Sequence, residues 1–430
     1  MKLAIVGSGI SGLAVAHSLQ AQADTTLFEA GSYFGGHTHT VDLTLPTPAG
    51  LVTHGVDTGF LVFNERTYPQ LIALLAELKV ATSKTDMSFS AQIPGERYVE
   101  WSGSTLASVF AQRSNLWSPS FWGMLRDLLR FNKITTQLAQ EGTEATLAQP
   151  LGAFLDQHHF GAAFRDWYFL PMMGCIWSCP TAQMLEFPVA TMVRFCHNHG
   201  LLQVLNRPQW WTVTGGARQY VDKITAKIAD KRLNTPVQRI ERTADGVFIT
   251  SQHHGFARTE RFDKVVLATH SDQALALLAA PTQAEESTLG AIHYHANRAV
   301  LHTDASVLPR NPNAWAAWNY ERAPAAPGSA LDSDRVCLHY WINKLQPLPW
   351  AQPVVVSLNP TRDIPRTHVM GTFDYAHPVL DLAAIAAQQR MPALQGQHNT
   401  YFCGAWMGYG FHEDGLKAGL AVAELLKAGL

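Results

Sequence analysis

The feature that most constrains this chain is a glycine pattern held between two strand signals. Lys2–Val6 is a short apolar run, the pattern of a strand buried on both faces. Gly7, Gly9 and Gly12 follow at once as G-x-G-x-x-G. Apolar spacing turns helical over Ile10–Leu19, and residues 25–28 are strand-like again. Glu29 ends that run about twenty residues past the glycines, where a dinucleotide fingerprint places its acid. Each part has a mechanical reason. Gly7 permits the tight turn, Gly9 lets the backbone approach a pyrophosphate, and Gly12 lets the helix pack close to the strand. Phosphates sit on free N–H groups at the positive end of the helix dipole. Glu29 then accepts hydrogen bonds from an adenosine ribose. A signal-peptide reading of the same stretch leaves the glycine register and Glu29 without a role, and Ser8, Ser11 and His17 interrupt its apolar run.

A chain of 430 residues exceeds one simple core, so at least two domains are expected. The formal net charge of −2 gives no electrostatic case for nucleic acid. Apolar residues at 47% supply a large core and leave enough for an apolar pocket. No apolar run approaches about 18 uncharged residues, so no transmembrane helix is expected. Cys175, Cys179, Cys196, Cys337 and Cys403 are odd in number and scattered, which argues for a reduced, cytoplasmic protein. No metal site is expected. Cys175 and Cys179 lack a second pair, and the close pairs His37/His39, His197/His199, His253/His254 and His293/His295 lack a third ligand at ligand spacing.

Past Glu29 the chain reads Ala30-Gly-Ser-Tyr-Phe-Gly35-Gly36-His37-Thr38. An acid followed by a Gly-Gly pair and a polar side chain resembles the second signature of the flavin-containing amine oxidase superfamily. That group includes monoamine oxidases, protoporphyrinogen oxidases and phytoene-type desaturases. Most members carry Arg after the Gly-Gly; this chain has His37, which offers fewer donors. The resemblance implies FAD, held at Gly7, Gly9, Ile10, Ser11, Gly12, Glu29, Ala30, Gly36, His37 and Thr38. It extends to Asp57-Thr-Gly59-Phe60, where relatives place a turn beside the isoalloxazine, which implicates Gly59 and Phe60. Trp210-Trp-Thr-Val-Thr-Gly215-Gly216 resembles a Gly-Gly turn before a helix over 217–228. A strand over 233–240 follows, in which Val237 meets the adenine through its backbone. At the end, a strand closing on Gly404 and the run Gly410-Phe-His412-Glu413-Asp-Gly415 before a helix over 416–426 resemble the last flavin signature. Gly404, Glu413 and Gly415 join the cofactor set, with backbone N–H groups near Glu413 aimed at the flavin O2, where reduction puts negative charge. Many relatives have an acid where this chain has Ala405.

The fold this implies is α/β. A Rossmann-like FAD-binding domain of the glutathione-reductase type is built from residues 1–75, 206–274 and 376–430. An α+β substrate domain with an antiparallel or mixed sheet and helices is built from 76–205, mostly helical, and 275–375. In the latter, 293–301, 336–342 and 351–360 read as strands, and 323–333 as loop. Within residues 116–133, Pro119 suits a first helical turn, and Trp122, Leu125, Leu128 and Leu129 fall at helical spacing among Arg126, Arg130 and Lys133. Such a helix can lie in a membrane interface; the commoner reading is a stripe buried in core.

The stretches DTGFLVFNERTYP, CHNHGLL, RPQWWTVTGG and GFHEDGL resemble a narrower group, bacterial flavoproteins associated with cyclopropane-fatty-acid-synthase-like methyltransferases. That group includes the methylated-fatty-acid desaturase of furan fatty acid biosynthesis. The resemblance implies hydride transfer from an apolar lipid acyl chain, such as a methyl-branched unsaturated one, to flavin N5. It leaves the electron acceptor unassigned. His412 is the candidate base, ahead of Tyr340 and Lys344; amine-oxidase relatives use a lysine with water near N5. Two alternatives stand beside this. One is a flavin amine oxidase, with Trp406 and Tyr409 as an aromatic pair before the ring. The other is a flavin-bound lipid isomerase or binding protein without net redox.

Overall fold

The computed structural model describes residues 1–95, 97–142, 147, 149–177, 181–201, 208–322 and 336–429. Three distant stretches of chain meet in one five-stranded parallel sheet. Its order is Asp230–Arg232, Asp24–Phe28, Lys2–Val6, Lys264–Leu267 and Thr400–Phe402. Lys2–Val6 lies at the centre, with Leu3, Ala4 and Ile5 fully buried, as its unbroken apolar run requires. Gly7 takes φ +100°, and a Cβ there would come within 2.7 Å of the Ala268 carbonyl oxygen. The first helix, Ile10–Leu19, packs against the C-terminal helix, His412–Ala428. Small residues bring these helices close: Cβ atoms at Gly415 and Gly419 would run into Ile10 and the Ser11 carbonyl.

A second sheet is seven-stranded and mixed. Its order is Val369–Pro378, Tyr294–His302, Val355–Leu358, Cys337–Trp341, Trp318–Glu321, Phe89–Ile93 and Val99–Ser102. Three of these strands carry the 293–301, 336–342 and 351–360 expectations. Trp318–Glu321 and Val369–Pro378 are additions, each with too many polar residues to read as strand from the chain alone. Strand alternation sorts the sheet's two faces. Phe89, Trp318 and Tyr340 are register partners that face the large cavity.

Helix Pro119–Glu141 begins with Ser118 accepting from the Phe121 N–H and Pro119 in the first turn. It buries Phe121, Met124 and Phe131, and the Phe131 ring meets Phe154, Phe160, Phe164 and Phe169. The stripe expected in the core is a different one. Trp122 and Leu129 are 50% and 61% exposed. The helix has two apolar faces, and the phenylalanine cluster takes the other. The strand expected over 233–240 begins only at Val237. Asp230–Arg232 stays in the parallel sheet, Asn234 turns at positive φ, and Val237–Thr243 starts a separate three-stranded antiparallel sheet. The 323–333 loop expectation and Cys179 lie outside the described residues. Cys175, Cys196, Cys337 and Cys403 are free and buried. Among the described residues no helix is long and apolar enough to cross a membrane.

Candidate active site

One cavity of about 1140 Å³ runs from the glycine loop to helix Pro119–Glu141. Its inner end is lined by Gly7, Gly9, Ile10, Ser11, Glu29, Ala30, Gly36, His37, Gly59, Phe60, Val237 and Gly404. Two observations fit this end to FAD. A Cβ at Gly9 would meet nothing within 4 Å, so the loop backbone faces open space where a pyrophosphate needs to approach. His37 is half-buried, and its Nε2 is buried with no hydrogen-bond partner. A ligand phosphate would supply the missing acceptor. Glu29 is partly committed to the loop: its carboxylate accepts from Ser8 N–H (3.0 Å), Ser8 Oγ (2.5 Å) and Gly31 N–H (2.8 Å). Lone pairs remain for a ribose hydroxyl.

Other expected cofactor residues stand behind the lining. Gly12 closes the turn under Gly7. Ser11 lines the cavity, but its hydroxyl donates to the Gly415 carbonyl at 2.8 Å, which ties the first helix to the last. Thr38 shares a 2.5 Å hydrogen bond with the Tyr220 hydroxyl. Glu413 points away: its carboxylate accepts from the Gln70 and Leu71 N–H groups and caps helix Pro69–Glu77. The C-terminal helix starts at His412, so Gly415 lies inside its first turns rather than at its tip.

His412 lies in the cavity wall at that helix start. Its ring stacks on Phe60 with centroids 3.9 Å apart. Nε2 is 2.8 Å from the Tyr220 hydroxyl, which continues to Thr38. Nδ1 takes no hydrogen bond among the described residues. Burial pulls the His412 pKa down to about 3, so the ring is a neutral imidazole. His37 is likewise held down to about 3, by burial first and then by His377, His270 and His412. The inner cavity is thus ringed by neutral histidines.

The three candidate catalytic side chains separate. His412 and Tyr340 line the cavity, and Tyr340 meets Trp318 edge-on at 5.1 Å. Lys344 does not belong to the lining. Strand Cys337–Trp341 ends in a single helical turn, Ile342–Leu345, which carries Lys344 beyond the strand's end, 3.1 Å from Asp86. The aromatic pair is also divided. Trp406 anchors its Nε1 on the Thr269 carbonyl at 3.0 Å, while Tyr409 meets Phe195, and no ring contact joins the two among the described residues. Tyr220, His199, His270 and His377 line or support the site with no local sequence signal. They arrive from segments far along the chain from the glycine loop.

Toward its other end the cavity is apolar, with Trp101, Phe110, Tyr168, Met172, Trp177 and Phe195 in its wall. Among the described lining residues Glu29 alone carries a formal charge, and it sits at the inner end.

The sequence profile of the flavin-containing amine oxidoreductases matches residues 10–337. Solved structures share the fold over nearly the whole chain. Cyclohexylamine oxidase from Brevibacterium oxydans aligns at TM-score 0.67 and 15% identity, covering 99% of both chains. Putrescine oxidase aligns at 0.65 and 14%, covering 100% of this chain and 99% of that one. A fatty acid isomerase from P. acnes that produces CLA aligns at 0.63 and 15%, covering 99% and 98%. No curated protein matches the chain by sequence.

Proposed function

Because this chain belongs to the flavin-containing amine oxidoreductase family, we propose that it is an FAD-dependent oxidoreductase that dehydrogenates an apolar lipid acyl chain. One observation carries the substrate class. The cavity beyond His412 is walled by aromatic and aliphatic side chains, with no formal charge among its described lining. A hydrocarbon chain loses no hydrogen bonds on entering such a space, whereas a charged amine loses its hydration.

Gly7, Gly9, Ile10, Glu29, Ala30, Gly36, His37, Val237 and Gly404 would hold FAD, with Gly59 and Phe60 beside its ring system. Bound FAD supplies the hydride acceptor. The protein's own part is to exclude water, align the chain and take a proton. His412 is the candidate for the last task by its position. Tyr220 engages Nε2, so a neutral ring donating Nε2–H to that hydroxyl keeps the Nδ1 lone pair free to accept. Tyr340 and Trp318 line the same cavity.

A second reading has an observation of its own. The fold is shared with a fatty acid isomerase, in which an acyl chain rearranges rather than losing hydrogen. Anaerobic mixing separates the readings. Dehydrogenation bleaches the flavin band on adding a methyl-branched unsaturated lipid, and mass spectrometry finds a product two hydrogens lighter. A product of unchanged mass with no lasting bleaching would favour isomerisation. Bleaching by primary amines and by no lipid would sink the acyl-chain proposal.

A further inference from the structure

The outer end of the cavity opens among side chains that a water-facing surface rarely shows together. Leu106 is 81% exposed, Leu116 42%, Trp117 86%, Trp122 50% and Leu129 61%. They account for five of the eleven large apolar side chains exposed among the described residues, and they fall within 24 residues of sequence. Leu106, Trp122 and Leu129 also line the cavity, so the exposed apolar surface and the cavity mouth are continuous. Charge follows the same boundary. Residues 106–133 hold Arg113, Arg126, Arg130 and Lys133 against the single acid Asp127, while the whole chain is net −2. Arg113, Arg126, Arg130 and Lys133 are exposed, and Asp127 is buried beneath Arg126 and Arg130 at 3.7 and 3.4 Å.

We propose that the rim formed by Leu106, Leu116, Trp117, Trp122 and Leu129 docks on an anionic lipid bilayer, with Arg113, Arg126, Arg130 and Lys133 against its headgroups. This rests on the acyl-chain reading only in what passes through the mouth; the docking stands on the surface itself. Three features select a bilayer over a protein partner. Tryptophan is the residue of the membrane–water interface, since its ring is apolar and its N–H is polar. Basic side chains around an apolar patch match the negative potential of anionic lipid. The long aliphatic stems of Arg and Lys let the charges sit at headgroup level while the tryptophans sit deeper. Apolar substrates then partition from the bilayer into the cavity without crossing water. The rest of the chain is net acidic, so the same field that attracts the rim turns the opposite face away.

The test uses FAD-loaded full-length protein with vesicles of phosphatidylglycerol and phosphatidylcholine, and vesicles of phosphatidylcholine alone. Cosedimentation is expected with the anionic vesicles, falling at least severalfold on neutral vesicles and again at about 0.5 M salt. Tryptophan emission should shift to the blue and be quenched by brominated acyl chains. Leu116→Ser/Trp117→Ser removes side chains that lie outside the cavity, and should cut binding at least fivefold with FAD content and melting temperature unchanged. Arg113→Gln/Lys133→Gln should remove the preference for anionic lipid. Unchanged vesicle binding in both double variants would overturn the proposal. So would absence of wild-type binding at low salt, or a solution dimer that buries Trp117. Vesicle binding with no flavin reduction by any lipid would leave the docking standing and remove the dehydrogenation reading. Bleaching by dispersed lipid with no vesicle binding would do the reverse.

Discussion

The hydroxyl of Tyr220 lies 2.8 Å from Nε2 of His412, and the same oxygen lies 2.5 Å from Oγ1 of Thr38. The contact joins helix Arg218–Thr225 to the start of the C-terminal helix and to the loop after Gly36. It sets which imidazole nitrogen is left to face the cavity. His412→Ala should slow anaerobic flavin reduction by about 10²–10⁴-fold, the range of a general base, while FAD content is kept. Tyr220→Phe should cost about tenfold, since it loosens the tautomer without removing the base. Stopped-flow absorbance measures both. Because burial holds the His412 pKa near 3, acidifying from pH 8 to 5 does not protonate the base, and the rate should show no limb near 6.5 from this group. A limb there would transfer the role to an exposed group.

His37 carries a prediction about cofactor binding. Without ligand its imidazole is neutral, with a pKa of about 3, and His377, His270 and His412 are the titratable groups facing it. A pyrophosphate beside its Nε2 favours the protonated form. FAD binding should therefore take up a proton, and affinity should strengthen as pH falls. Calorimetry in two buffers of different ionisation enthalpy reads the uptake directly. His37→Ala should abolish it, and His37→Arg should make FAD affinity nearly independent of pH. Equal uptake in wild type and His37→Ala would locate the proton elsewhere.

On its buried histidines, the apoprotein should be most stable near pH 6.5 and weaken to either side. Burial, as the first cause at each, lowers His37 and His412 to about 3, and His199, His302 and His377 to about 4. The unfolded chain binds protons at these sites below about 6.5 and the folded chain does not, so acid favours unfolding. Each titrating site contributes up to about 1.4 kcal/mol per pH unit. His339 runs the other way. Burial pulls it down, but Cys337 and Glu321 hold it up at about 9, so its contribution is complete below 6.5 and lost as pH rises through 9. Urea unfolding from pH 4 to 10 should trace this profile, and Glu321→Gln should lower stability below about pH 6.5 and converge on wild type above about 9.

Gly9 and Gly12 should separate cofactor binding from folding. A Cβ at Gly9 meets no protein atom within 4 Å, so Gly9→Ala should leave apoprotein stability within about 0.5 kcal/mol while weakening FAD binding. A Cβ at Gly12 collides with the Gly7 carbonyl, so Gly12→Ala should destabilise the apoprotein by about 1–3 kcal/mol. Thermal melts with and without added FAD distinguish the two. Equal effects on the apoprotein would mean the loop is not shaped for a ligand.

Much of the dinucleotide end was legible because its determinants are local. A turn at positive φ demands glycine at Gly7, and a strand buried on both faces demands the unbroken run Lys2–Val6, whatever the remaining residues do. Pro119 and the helical spacing after it foretold helix Pro119–Glu141 for the same kind of reason. Contacts over long separations were not legible. Lys344 reads as a plausible flavin neighbour until the turn Ile342–Leu345 carries it to Asp86, and nothing local foretells that the Glu413 carboxylate caps helix Pro69–Glu77. Which apolar face of a helix is buried depends on what packs against it. The phenylalanines around Phe131 decided that Trp122 and Leu129 would be left at the cavity mouth. Local backbone geometry is written residue by residue, whereas the partner of a side chain is settled only when segments far apart in the chain compete for the same space.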